Sequence, residues 1–429
     1  MQVDMKDEKC RCLLSAALTL AVLTLPFARM QAADKEDILY NFSFNKDGAY
    51  PVSGLIRDSA GNLYGTTEYG GNLNDCVTNN DTSCGVIFEL TPKGDGSWKE
   101  TPLHAFNGGD GAYPNGKLTW DSQGNLYGTT YQGGNLSVCE NGCGVVFRLS
   151  PGSDGKWKET VLHRFTGQDG YLPQAGLIID SRGNLFGTTQ FGGSLGYGTV
   201  FEVSPASNDT WKEKVLHSFT GNDGQEPLAS LIFDAAGNLY GTAASGGGKS
   251  GQTGTVFELT PTSGDRWKER VLHTFSELKP NGGFFPATEL IFDAEGNLYG
   301  TTFEGGAADK GAGLIFELSH NSNGTWTEKV LHSFNSKDGY NPSSGLVFDS
   351  SGNLYGTTSG GGSSNDGVLF ELRQTSEGVW KEIVLHTFTG LKDGVDPSGT
   401  PLFDPAGNLY GTAFAGGSQG RGVVFEVTP

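Results

Sequence analysis

The chain has 429 residues, 67 of them Gly, with 36% hydrophobic and 11% aromatic residues and a formal net charge of −19. That hydrophobic share places it among folded globular chains, and so much Gly favours an all-β fold rich in tight turns. The acidic balance excludes nucleic acid and anionic membrane surfaces as partners, since both select faces rich in Lys and Arg.

The N-terminus comes first. Lys6, Lys9 and Arg11 precede an apolar run from Leu13 to Phe27, and small residues follow at Ala32 and Ala33. A positive region, an apolar core and a small cleavage site are what a secretory signal needs, so residues 1–33 are expected to be a signal peptide. The rival reading is a membrane anchor, but about 15 apolar residues cannot comfortably span a ~30 Å hydrocarbon core. No later run is apolar enough to insert in a membrane, and the sequence ends at "VVFEVTP" with no sorting tail. The mature chain, residues 34–429, is therefore expected outside the cytoplasm, and as a monomer.

The rest of the chain is built from one pattern. "GNLYGT" or "GNLFGT" starts at Gly61, Gly124, Gly183, Gly237, Gly296, Gly352 and Gly407, spaced 54 to 63 residues apart. Repeats of this length indicate propellers or solenoids. In the copy from Pro227 to Phe275, "SLIFD", "LYGTAA", "GTVFELT" and "WKERVLHTF" are each bounded by Gly, Pro, Asp or Ser. Four such runs, rich in Val, Ile, Leu, Phe and Tyr, predict four antiparallel strands joined by hairpins. The fold expected is all-β, a seven-bladed β-propeller with four strands in each blade.

The two ends fit each other. The seventh copy stops before its "WKExVLHxF" strand, while "KEDILYNFSFNKDG" near the N-terminus matches "KEKVLHSFTGNDG" with one residue inserted. Ile38–Phe42 is therefore expected to complete the last blade, which leaves the ring without an open sheet edge. Within each blade the "LIFD" strand is then innermost, "LYGT" second, "VFEL" third and "VLHxF" outermost.

The pattern D-x-x-G-N-L-Y-G-T-T-x-x-G-G followed by G-x-V-F-E-L resembles the Gloeo/Verruco tandem repeat, the GloVer repeat of exported bacterial proteins with varied anchors. Gly237–Thr242 with Gly246 and Gly247 is a representative copy. The resemblance implies a bacterial surface or secreted protein; it supplies no activity, ligand or catalytic residue.

Cys76 and Cys84, and Cys139 and Cys143, lie in loops at the same place in consecutive repeats. An even count in an exported chain suggests disulfides, and the local pairs Cys76–Cys84 and Cys139–Cys143 would each close one hairpin loop. A zinc site is the rival, although neither loop holds a His. The histidines His104, His163, His217, His273, His332 and His386 recur in the outermost strand, with Tyr40 in the seventh place. Rim positions of this kind cannot converge on one shared ion, so a packing role is expected for them. Trp98, Trp157, Trp211, Trp267, Trp326 and Trp380 open the same strand, to cover the sheet edge or to stack on sugars. Asp-Gly pairs at Asp47, Asp110, Asp169, Asp223, Asp338 and Asp393 precede a loop Pro by four residues, with Gly282 in the Asp place of repeat five. They suit turns, and as a ring of carboxylates near the channel mouth they offer calcium its oxygens.

On a repeated scaffold a single site comes from departures from the repeat. The third residue after each loop Pro reads Gly54, Lys117, Gly176, Ser230, Glu289, Gly345 and Thr400. Lys117 and Glu289 stand three blades apart and are expected to face each other across the channel entrance. Trp120, near Lys117, has no Trp counterpart in the other repeats. A polar, aromatic-edged pocket at the mouth is the functional reading, and a solvated charge pair is the plain one. No Ser-His-Asp set, unique carboxylate pair or nucleotide loop stands out. The chain reads first as a non-catalytic binding module for a glycan, peptide or surface partner. A carbohydrate-active lyase or hydrolase with its site at the channel mouth is the alternative, and a purely architectural surface protein the third reading.

Overall fold

The computed structural model describes residues 35–429 except 73–75, 77–82, 249–252, 278, 280 and 308–310. The expected signal segment, residues 1–33, lies outside the described residues. Seven antiparallel sheets follow one another along the chain as the blades of a propeller. Blade three shows the common order: Ile178–Ile179 pairs with Leu185–Thr189, which pairs with Thr199–Pro205, which pairs with Trp211–Ser218. The innermost strand is only two residues long, and the outermost is eight. The ring closes as the two ends predict. Lys35–Asn41 pairs with Val423–Thr428 and becomes the outermost strand of blade seven. Among the described residues no helix is long and apolar enough to cross a membrane.

The repeated motif earns its residues one at a time. In "FDAAGNLY" the Asp234 carboxylate accepts hydrogen bonds from the N–H of Ala236 and Asn238, from Asn238 Nδ2 and from Tyr240 Oη. One side chain thus closes the turn between the first two strands, as Asx turns do. Gly241 cannot carry a side chain, because a Cβ there would lie 2.6 Å from the Phe257 ring and 2.8 Å from Leu231. Thr242 Oγ1 donates to the Thr288 carbonyl of the next blade at 3.1 Å, and Thr129, Thr188 and Thr412 make the matching bond.

Apolar clusters fill the gaps between adjacent blades and not the channel. The cluster between blades two and three, for example, joins Tyr127 and Val146 to Phe165, Leu185 and Phe201. In every gap the Phe that follows the outermost strand meets the third-strand Phe edge-on, as Phe219 meets Phe257 at 5.1 Å. Edge-to-face pairs at this distance are favoured by the ring quadrupoles beyond the area they bury. Phe42 and Phe88 repeat the contact across the closure, so the joint between blades seven and one is packed like the other six.

Candidate functional site

The residues that follow each loop Pro converge at the centre. A cavity of about 130 Å³ is lined by all seven positions read from the sequence: Gly54, Lys117, Gly176, Ser230, Glu289, Gly345 and Thr400. The small residues there have a packing cause. A Cβ on Gly176 would come within 2.7 Å of the Lys117 carbonyl oxygen, and one on Gly345 within 2.6 Å of Glu289 Cγ. The chain enters this mouth through a strained residue in every blade. Tyr50, Tyr113, Leu172, Glu226, Phe285, Asn341 and Asp396, each just before the Pro, hold φ between 54° and 62°. Left-handed backbone at non-Gly residues costs of order 1–3 kcal/mol each and persists only where the surroundings fix it. The fixing contact is visible: each N–H reaches the preceding blade's loop, as Tyr113 does to the Cys84 carbonyl and Leu172 to the Cys143 carbonyl. Those two loops are the ones held by disulfides, Cys76–Cys84 and Cys139–Cys143.

Lys117 and Glu289 do more than face each other. Lys117 Nζ lies 3.9 Å from Glu289 Oε1, so the pair bridges the mouth, with the two side chains 35% and 22% exposed. Beside it is a second cavity of about 360 Å³, lined by Ile56, Thr119, Trp120, Ile178 and Ser230 together with both charged residues. Trp120 contributes to that wall, but its ring is also part of the core. It stands edge-on to Tyr64 at 4.9 Å, as Phe233 stands to Phe186 at 5.3 Å and Phe292 to Tyr240 at 5.1 Å. Trp120 is unusual in size and ordinary in position. Its Nε1 is buried with no hydrogen-bond partner.

The Asp-Gly carboxylates are not at the channel mouth. This corrects the carboxylate ring proposed for calcium: each loop folds back so that its Asp meets the outer-strand His of the same turn. His163 Nε2 lies 3.0 Å from Asp169 Oδ2 and His217 Nε2 3.0 Å from Asp223 Oδ2. His104 and Asp110 repeat this at 3.2 Å, and Tyr40 takes the His place by donating to Asp47 at 3.1 Å. The histidines stay apart from one another on the rim.

A third group, absent from the sequence reading, completes each of these pairs. It is the Glu of the next blade's outer strand, four residues before that strand's own His or, in blade seven, Tyr40. Among the described residues, the donor atoms lie within 4.8 Å of one another in each of four gaps: His104, Asp110 and Glu159; His163, Asp169 and Glu213; His217, Asp223 and Glu269; and His386, Asp393 and Glu36. Burial first, then the neighbouring Asp393, pushes Glu36 up to about 8. Burial likewise raises Glu269 to about 7, against His217, which lowers it, and with Asp223, which raises it. The aspartates go the other way. Burial opposes ionisation of Asp223, but hydrogen bonds from His217 and Thr220 outweigh it and hold its carboxyl below the usual range. The signal that could have found these glutamates is their recurrence: a charged residue at one fixed offset in all seven outer strands.

The repeat family model described as the Gloeobacter/Verrucomicrobia repeat matches residues 27–178, 136–370 and 311–429. No curated protein matches the chain. Among solved structures, the crystal structure of a protein of unknown function from Dyadobacter fermentans DSM 18053 is similar at 11% identity, over 92% of this chain and 97% of that one, with a TM-score of 0.46. On the repeat match, which runs through all seven blades, the chain belongs to the Gloeobacter/Verrucomicrobia repeat family.

Proposed function

We propose that the chain is an exported β-propeller that binds a glycan, peptide or surface partner at its channel mouth without transforming it. One observation carries this reading. Where seven blades meet, the Lys117–Glu289 bridge is the single charged feature among otherwise small or neutral mouth positions, and it borders a cavity of about 360 Å³. Concave sites of this size, largely apolar with a few convergent polar groups, are what small ligands and chain ends occupy. Export is supported by the Leu13–Phe27 run in the sequence and by the two disulfides, which persist in oxidising compartments.

The test is a screen of the purified chain against glycan, polysaccharide and peptide panels, with and without calcium. One ligand per chain is expected, with affinity reduced about tenfold or more in Lys117→Ala, as loss of a charge-assisted contact implies. Stoichiometry well above one, unaffected by Lys117→Ala, would move binding to the repeated surface. Product release abolished by Glu289→Ala would replace the binding reading with a carbohydrate-active enzyme.

A further inference from the structure

The rim between adjacent blades carries a donor set that the channel-mouth reading does not use. We infer that the four complete His–Asp–Glu clusters among the described residues are binding sites for a first-row divalent ion of the zinc class, one ion in each of the four gaps that hold a cluster. The cluster of His217, Asp223 and Glu269 represents them.

The donors fit this chemistry. One imidazole nitrogen and two carboxylates suit zinc and its neighbours, whereas calcium wants six to eight oxygens. Ligands held at about 2.1 Å in a tetrahedron lie about 3.4 Å apart. His217 Nε2 and Asp223 Oδ2 are already 3.0 Å apart, and all three donors lie within 4.8 Å, so a small rotation of Glu269 closes the set. The fourth position is left to water or a ligand.

The supporting contacts are also in place. Asp223 Oδ1 accepts from Thr220 N–H and Thr220 Oγ1, which fixes the carboxylate so that its other oxygen faces the imidazole. The imidazole stands edge-on to Phe219 at 4.9 Å. Partners that orient the ligands in this way contribute much of a metal site's affinity.

The cluster lacks a cation of its own. Glu269 Oε1 is closed to solvent and has no hydrogen-bond partner, as is true of the matching Glu in every outer strand, Glu328 included; what sets the cluster apart is the Asp and the imidazole within reach. Blade five supplies an internal control. There Gly282 stands in the Asp place, and Lys279 Nζ comes within 3.4 Å of Glu328 Oε2. Where the chain has lost a ligand, it has provided its own ammonium to the same glutamate.

The experiment uses tag-free, chelator-treated chain titrated with Zn²⁺ by calorimetry, with Co²⁺ absorption reporting ligand geometry. About four ions per chain are expected, one for each complete cluster. Glu269→Gln, which keeps size and packing, should remove one of them, and Glu328→Gln none. Cobalt bands of tetrahedral intensity on the unaltered chain would support the assignment even if a variant fails to fold. One ion or fewer per chain, a count unchanged in Glu269→Gln, or calcium bound in place of zinc would each overturn it.

Discussion

The gaps on either side of blade four differ in the loop that crosses them, and that difference reverses the ionisation of the Glu at one fixed outer-strand position. Between blades three and four, Glu269 sits beside Asp223 and His217 and is pushed up to about 7, chiefly by burial. Between blades four and five, Glu328 occupies the same place but meets His273 at 3.4 Å and Lys279 at 3.4 Å, with no Asp. Burial again opposes its ionisation, yet His273 and Lys279 outweigh it and hold the carboxyl below its ordinary value. The edge-on Phe pair is alike in the two gaps, but the loop entering blade five is three residues longer and brings a cation to the Glu where the other brings an Asp. The repeat therefore fixes where a carboxyl stands, and the loop decides which form it takes.

If the apolar part that the gaps share holds them alike, removing it should cost the same in both. Phe219 and Phe275 are fully or almost fully buried and meet Phe257 and Phe316 at 5.1 and 5.0 Å. Phe219→Ala and Phe275→Ala are each expected to lose about 3–5 kcal/mol in denaturant unfolding. A much smaller loss for Phe275→Ala would mean that the Lys279 contact, and not packing, holds that gap together.

The pH dependence separates the gaps more finely. Glu36, Glu100 and Glu382 are raised to about 8, and Glu159, Glu213 and Glu269 to about 7, with burial the largest cause in each. Their folded state holds a proton that the unfolded chain releases near pH 4.5, so their contribution is complete below that pH and drains away as pH rises through about 7 to 8. Asp169, Asp223 and Glu328 contribute in the opposite sense, above the usual carboxylate range, and that part is lost in acid. The metal-free chain is thus expected to have its highest Tm near pH 5 and to lose several degrees by pH 8. Glu269→Gln should flatten that slope and Glu328→Gln should leave it unchanged. A Tm constant from pH 5 to 8 would erase the distinction between the two gaps.

The ring was legible in the sequence because a repeat writes its own register. The offset from "LYGT" to "VFEL" recurs, and the strand missing after Val423–Thr428 is present at Lys35–Asn41. The channel mouth was legible for a related reason: rotational repetition turns an equal offset from Pro into an equal radius, so Gly54 through Thr400 converge. The disulfides followed from short spacing within one loop. The rim clusters were not legible. His163 and Glu213 belong to different repeats, and Asp169, held by the N–H and hydroxyl of Thr166, reads in the sequence as an ordinary turn residue. Trp120 was legible by its type, and the structure adds that it lines the cavity while packing where Phe233 packs elsewhere.

The smallest expected effect is also the most specific to the comparison. Lys279 is 53% exposed on its side chain, so solvent screens its attraction to Glu328. Exposed ion pairs of this kind contribute about 1 kcal/mol or less, and Lys279→Ala should change overall stability by no more than that. Its effect on the partner is larger in kind. Without the ammonium, burial faces only the imidazole of His273, and the Glu328 carboxyl should titrate higher than in the unaltered chain. Carboxyl-selective NMR titration reads that shift directly, with Glu269 as the unchanged reference. An unmoved Glu328 would show that His273 alone sets its ionisation. The loss of the Asp at Gly282, and not the arrival of Lys279, would then be what separates the two gaps.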